Sequence, residues 1–170
     1  MLDKEVIQHD RIRLRPATEA DLDFVMEMEG TPENSPFVRH WSIQQHQSAI
    51  SDNNIAHLIV ENSLNNKPIG YIILVGLENP DQSIEFKRIV VKEKNEGLGR
   101  ESVRLIKKMA FGDLGAHRLW LEVMEHNDRA IKLYQSEGFT YEGLHRESLK
   151  QGEKFISLKV MSILAHEYKK

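Results

Sequence analysis

The chain has 170 residues, 40 % of them hydrophobic, which is enough to bury the core of one compact domain, and one domain spanning 1–170 is expected. Its 23 basic and 26 acidic residues are mixed along the chain and sum to a formal net charge of -3, so it lacks the basic footprint that a nucleic-acid backbone demands. With no cysteine, disulfides, thiolate metal sites and cysteine acyl intermediates are excluded, and with no secretory or membrane-length apolar run the expectation is a cytoplasmic protein with no membrane partner.

"RIRLRPA" alternates Ile12 and Leu14 with arginines and ends at Pro16, the pattern of a half-buried first strand. Thr18 stands three residues before Asp21 as a capping box, and Leu22, Val25 and Met28 follow at helical spacing until Gly30. The proline- and aromatic-containing segment from Thr31 to Trp41 reads as a loop, followed by a polar helix, "SIQQHQSAIS", with Ile43, His46 and Ile50 on one side. "AHLIVEN" and "IGYIILVGL", separated by Asn65 and Asn66, predict an antiparallel hairpin, and "SIEFKRIVV" predicts a fourth strand. A helix follows from Leu98 to Leu114, then a fifth strand in "HRLWLEV". "DRAIKLYQSEG" predicts a helix closed by Gly138, before the final strands "FTYEGL" and "KFISLKVMSIL". The order β-α-α-β-β-β-α-β-α-β-β predicts an α/β (α+β) fold.

The junction "VVKEKNEGLGRE" runs from a strand through Gly97 and Gly99 into a helix, which places unpaired backbone amides where an anion can approach. Lys94 and Arg100 add positive charge at its rim. A dinucleotide fingerprint would need a glycine at Ser102, and a phosphate-binding P-loop would need Gly-Lys-Ser or Gly-Lys-Thr, so neither applies. "AHEYK" lacks the second histidine of a zinc-protease helix, His40 and His46 have no acidic partner at ligand spacing, and no nucleophile elbow occurs, so no metal is expected.

Taken together, "RIRLRPATEADL", "KNEGLGRE" and "LWLEVMEHNDRAIKLYQSEGF" resemble the GNAT superfamily of acetyl-CoA-dependent N-acetyltransferases, near its ribosomal-protein alanine and polyamine acetyltransferase branches, over roughly residues 11–164. The resemblance implies a mixed, mostly antiparallel twisted sheet flanked by helices, with its fourth and fifth strands splayed around the cofactor. It implies that Lys94, Asn95, Glu96, Gly97, Leu98, Gly99 and Arg100 wrap the diphosphate of coenzyme A, with Lys94 standing where the family has Arg or Gln. The pantetheine arm would bond to main-chain groups across Ile89, Val90 and Val91, Asn127 would hydrogen-bond the cofactor or cap its helix, and Arg129 would reach a phosphate. The family frame of Asn127, Tyr134 and Phe139 implies that Tyr134 protonates the departing thiolate. Glu122 and Glu85, on the fifth and fourth strands, are the candidates for the base that frees the amine.

With no nucleophilic cysteine or serine elbow, direct attack of a primary amine in a ternary complex is the simplest mechanism. The loop of Phe37, His40 and Trp41, the polar helix and the stretch between Leu144 and Phe155 are expected to recognise the acceptor. A protein or peptide N-terminus ranks just ahead of a polyamine or other small amine, because Arg39, His40, Lys87 and Arg88 interrupt the negative charge of Glu29, Glu33, Glu78 and Asp81. A non-catalytic acyl-CoA sensor is the remaining alternative, and the resemblance is compatible with a homodimer.

Overall fold

The computed structural model describes residues 7–8, 11–92 and 97–168. Its centre is one twisted sheet built from β1 (Ile7–Gln8), β2 (Ile12–Pro16), β3 (Ile55–Asn62), β4 (Pro68–Val75), β5 (Ser83–Val91), β6 (Arg118–Met124), β7 (Thr140–Gln151) and β8 (Lys154–Leu164). The order across the sheet is β1-β2-β3-β4-β5-β6-β8-β7, and β5 with β6 is its parallel pair, all other neighbours being antiparallel. The short β1 extends the sheet beyond the strand expected first. Among the described residues, four α-helices complete the fold: α1 (Leu22–Gly30), α2 (Ile43–Ser51), α3 (Leu98–Lys108) and α4 (Asp128–Ser136).

Local chemistry marks the helix starts. Asp21 accepts the Thr18 backbone N–H at 2.8 Å in the short turn that leads into α1. The polar α2 forms because Ser42 and Gln45 exchange bonds of 2.8 and 3.2 Å as a capping box, while His46 and Ala49 supply its buried side. Gly97 caps α3 at φ +78°, a left-handed conformation that favours glycine. The predicted helix to Leu114 ends its α-helical part at Lys108 and continues as a wider π turn over Met109–Asp113.

Central β3 and β4 are buried on both faces, so the core divides into two layers. One unites Leu121, Val103, Ile106, Tyr134 and Phe139, and the other unites Val25, Met28, Val38, Ile59 and Tyr71. The stretch between Leu144 and Phe155, expected to be an acceptor loop, is instead most of a long hairpin. There β7 runs to Gln151 and β8 begins at Lys154, with Gly152 at φ +62° in the turn.

The splay expected between the fourth and fifth strands lies between β5 and β6. They pair only from Ser83 with Arg118 to Glu85 with Trp120, after which β5 runs on to Val91 and β6 to Met124. An irregularity against β4 around Lys87 accompanies the divergence: Phe86 lies in one core layer, while Arg88 and Val90 turn to the other face.

Candidate active site

Between the diverging strands lies a cleft of about 910 Å³. One half is built from helix N-termini. Gly97, Leu98, Gly99 and Arg100 line it, and the amides of Leu98, Gly99 and Arg100 precede the first full helical bond, from Glu101 N–H to Gly97 C=O at 3.1 Å. A β-carbon on Gly97 would lie 3.1 Å from an Arg11 guanidinium nitrogen, whereas one on Gly99 would make only an ordinary 3.7 Å contact with Leu133. The start of α4 opens on the same space, with Asn127, Arg129 and Lys132 in the wall. Two positive helix ends with cationic side chains suit a diphosphate.

The sequence-predicted residues divide clearly. Asn127 does cap α4, its Oδ1 accepting the Ala130 N–H at 3.3 Å, and among the described residues its Nδ2 has no partner. Arg100 reaches the cleft but also donates to Ser136 Oγ at 2.7 Å and to Glu137 at 3.3 Å. Lys92 N–H bonds to Ile69 C=O on β4 at 2.7 Å, so strand alternation turns the main-chain groups of Ile89 away from β4, to the side where β6 diverges, and those of Val90 toward β4. Ile89 and Val91 line the cleft; the Val90 side chain is buried in the opposite core layer. Lys94, Asn95 and Glu96 lie outside the described residues.

Tyr134 lies at the inner wall, its ring centroid 6.2 Å from Phe86 and 5.6 Å from Phe139. Burial pushes its phenol pKa up, which keeps it a proton donor at neutral pH. Glu85 and Glu122 share one face of the two strands and both line the cleft. Burial raises the Glu85 carboxyl, the Lys87 ammonium at 3.8 Å pulls it back, and the charge of Glu122 raises it further. Glu122 in turn faces His145 Nδ1 at 3.3 Å. Glu33 and Phe37 add to the wall of this second half, and Leu149 and Leu158 bring it apolar surface from the hairpin.

A strand pair splayed beside a glycine-capped helix carries the arrangement that the sequence motifs predicted, and the sequence description of the acetyltransferase (GNAT) domain matches residues 11–140. The chain belongs to the GNAT acetyltransferase family. It is therefore an acyltransferase, with acetyl-CoA as the acyl donor. The spermidine N(1)-acetyltransferase of Escherichia coli strain K12 is 25% identical over 169 residues, covering 92% of this chain and 88% of that protein. The spermidine N(1)-acetyltransferase of Vibrio cholerae serotype O1 is 25% identical over 171 residues, covering 94% and 96%. The structure of spermidine N-acetyltransferase from Vibrio cholerae in complex with CoA and spermine has a TM-score of 0.83 at 23% identity, covering 94% of this chain and 98% of that one, a likeness of fold.

Three acceptor-side expectations do not fit this GNAT cleft. His40 sits on the exposed part of its loop against Ser35, and Trp41 lies over the Arg88 guanidinium at 4.9 Å; of the three predicted aromatic or imidazole contacts, Phe37 reaches the cleft. Glu29, counted as surface charge, is 1% exposed. Glu78 and Asp81 lie in the turn between β4 and β5, away from the cleft lining.

The buried position of Glu29 exposes a cluster that sequence reasoning missed. Its Oε1 accepts from His46 Nε2 at 2.6 Å, from the Tyr71 hydroxyl at 2.7 Å and from Arg88 at 2.7 Å. Burial pushes the Glu29 carboxyl up, but the bonds from His46 and Tyr71 and the Arg88 charge outweigh it and hold it below the ordinary glutamate value. His46 Nδ1 continues to His57 Nε2 at 2.9 Å, and burial followed by the charges of His46 and Arg88 pulls the pKa of His57 down to about 4. The legible signal was a charge on an apolar stripe: Glu29 shares the buried side of α1 with Leu22, Val25 and Met28, and His46 lies on the apolar side of α2.

Proposed function

We propose that this acetyltransferase acetylates a primary amine of a polyamine, and the observation that carries the reading is the Glu85 and Glu122 pair on one face of the splayed strands. With Glu33 in the facing wall, the acceptor half offers three carboxylates to an elongated polycation. The repulsion expected from Arg88 is offset, because Glu29 neutralises it from behind at 2.7 Å. The names of the curated relatives support the same class. A peptide N-terminus, the acceptor favoured from sequence, has less support: of the groups expected to repel a polycation, Arg88 is paired with Glu29 and Lys87 with Glu85, and His40 stands outside the cleft.

The residues divide the work as follows. A primary amine with a reference pKa of about 10.4 must lose a proton before it attacks, which costs about 4.6 kcal/mol at pH 7. Glu85, its carboxyl raised by burial, receives that proton, and Glu122 beside it attracts the remaining ammonium groups. The amides of Leu98, Gly99 and Arg100 hold the diphosphate, and Asn127 and Arg129 orient the donor. Acetyl-CoA, when bound, supplies the activated thioester. Tyr134 donates its phenolic proton to the departing sulfur, and the chain has no cysteine to carry an acyl group, so the amine attacks directly.

The test is free-thiol release from acetyl-CoA with spermidine, spermine and putrescine against short peptides beginning with Ser, Ala or Thr. Saturable turnover with a polyamine and none with the peptides is expected. Peptide turnover without polyamine turnover would overturn the acceptor class.

A further inference from the structure

We propose that Glu29 and Arg88 form a buried ion pair that positions the acceptor wall of the cleft, which makes Glu29 a positioning residue for a substrate it does not touch. The inference rests on the acceptor half lying where the proposed function puts it. The wall is the loop between α1 and α2, which contributes Glu33, Phe37, Val38 and Arg39 to the cleft lining. Glu29 and Arg88 grip that loop at two main-chain points: the other guanidinium nitrogen of Arg88 donates to the Arg39 carbonyl, and Glu29 Oε2 accepts the Trp41 N–H at 3.3 Å. The Trp41 ring then covers the guanidinium at 4.9 Å.

The pair is itself held rigidly. Glu29 and Arg88 are 1% and 7% exposed, and Glu29 is fixed by His46 from α2 and by Tyr71 from β4. Stability alone is a weak reason for such a pair, since apolar replacements of buried ion pairs are often neutral or stabilising. Geometry is the better reason. Arg88 belongs to β5, the strand that carries Glu85 and the open main-chain edge, so its planar fork joins the catalytic strand to the facing wall. A lysine lacks the planar fork whose two nitrogens reach the two acceptors while its face lies against Trp41. The pair also cancels a positive charge that would otherwise face a cationic acceptor.

The variants Arg88→Lys, Glu29→Gln and the double Glu29→Leu with Arg88→Leu test this. Two readouts apply: amide hydrogen exchange of residues 33–41 with α3 as internal reference, and the KM of acceptor against that of acetyl-CoA. Loss of a bond to a charged group predicts about tenfold faster loop exchange and about tenfold higher acceptor KM in Arg88→Lys, with the acetyl-CoA KM within about twofold. The double leucine variant fills the volume of the pair without charge, at the cost of the acceptor for His46 and Tyr71, so its folding is checked by thermal unfolding; folded, it still loses acceptor affinity, whereas a purely structural role leaves its acceptor KM at the wild-type value. Unchanged loop exchange in folded Arg88→Lys, parallel movement of both KM values, or wild-type acceptor KM in the double variant would each overturn the proposal. The acceptor used is whichever amine the wild-type enzyme acetylates, so an error in the polyamine assignment is seen separately, and the exchange readout needs no acceptor.

Discussion

Replacing Tyr134 by Phe removes one hydroxyl from the inner wall of the cleft and leaves the ring in place. The ring keeps its contacts with Phe86 at 6.2 Å and Phe139 at 5.6 Å, and among the described residues none hydrogen-bonds the hydroxyl. No buried partner is orphaned, so stability changes by less than about 1 kcal/mol. Catalysis loses its proton donor, a loss of about 10² to 10⁴ in rate, or about 3 to 5 kcal/mol in barrier height. Steady-state thiol release at saturating acetyl-CoA measures kcat, thermal unfolding checks the fold, and titration calorimetry checks coenzyme A affinity. The expected pattern is a large fall in kcat with affinity and melting temperature almost unchanged. Because burial pushes the phenol pKa up, the wild-type enzyme should show no alkaline fall in kcat from this group through the neutral range. An unaltered kcat in Tyr134→Phe would return the residue to a packing role and refute the reasoning.

The pH dependence of kcat/KM gives a second test. A base works ionised, so activity rises with pH through its pKa, and burial of Glu85 places that limb above the ordinary glutamate value. Glu122→Gln should move the limb to lower pH by removing a like charge, and Lys87→Gln should move it higher by removing the ammonium 3.8 Å away; limbs that stay fixed in both variants would clear Glu85 of the role. At Gly97, a side chain must adopt φ +78° within reach of Arg11, so Gly97→Val should cost about 1 to 2 kcal/mol of stability and weaken coenzyme A binding, read by thermal unfolding and calorimetry. Wild-type affinity in folded Gly97→Val would remove this turn from the diphosphate site.

The elements around the proposed cofactor half were legible because their structure is local. The strand, the glycines and the following helix are contiguous from Ser83 to Lys108, and the cap, tyrosine and phenylalanine of α4 follow one another within a single helix and turn. Nearest-neighbour rules of periodicity and capping act over these distances, and the matching family pattern lies in the same short segments. The polar α2 was legible for the same reason, since its capping box joins Ser42 to Gln45.

The acceptor half was decided by tertiary structure. Glu29 and Arg88 meet across 59 residues, and Gln151 of the hairpin reaches Pro36 of the wall across 115, at 3.4 Å. No local rule assigns such partners. Read singly, Glu29 is a helical surface acid and Arg88 a repelling cation; folded together, each cancels the other and both leave solvent. The sequence by itself determined the strands from β2 to β6, the four helices, and which helix starts are open to an anion. Which charges face the acceptor depends on long-range burial and pairing, because a side chain's electrostatic effect is set by the neighbours that desolvate and neutralise it, and those come together only when the sheet closes.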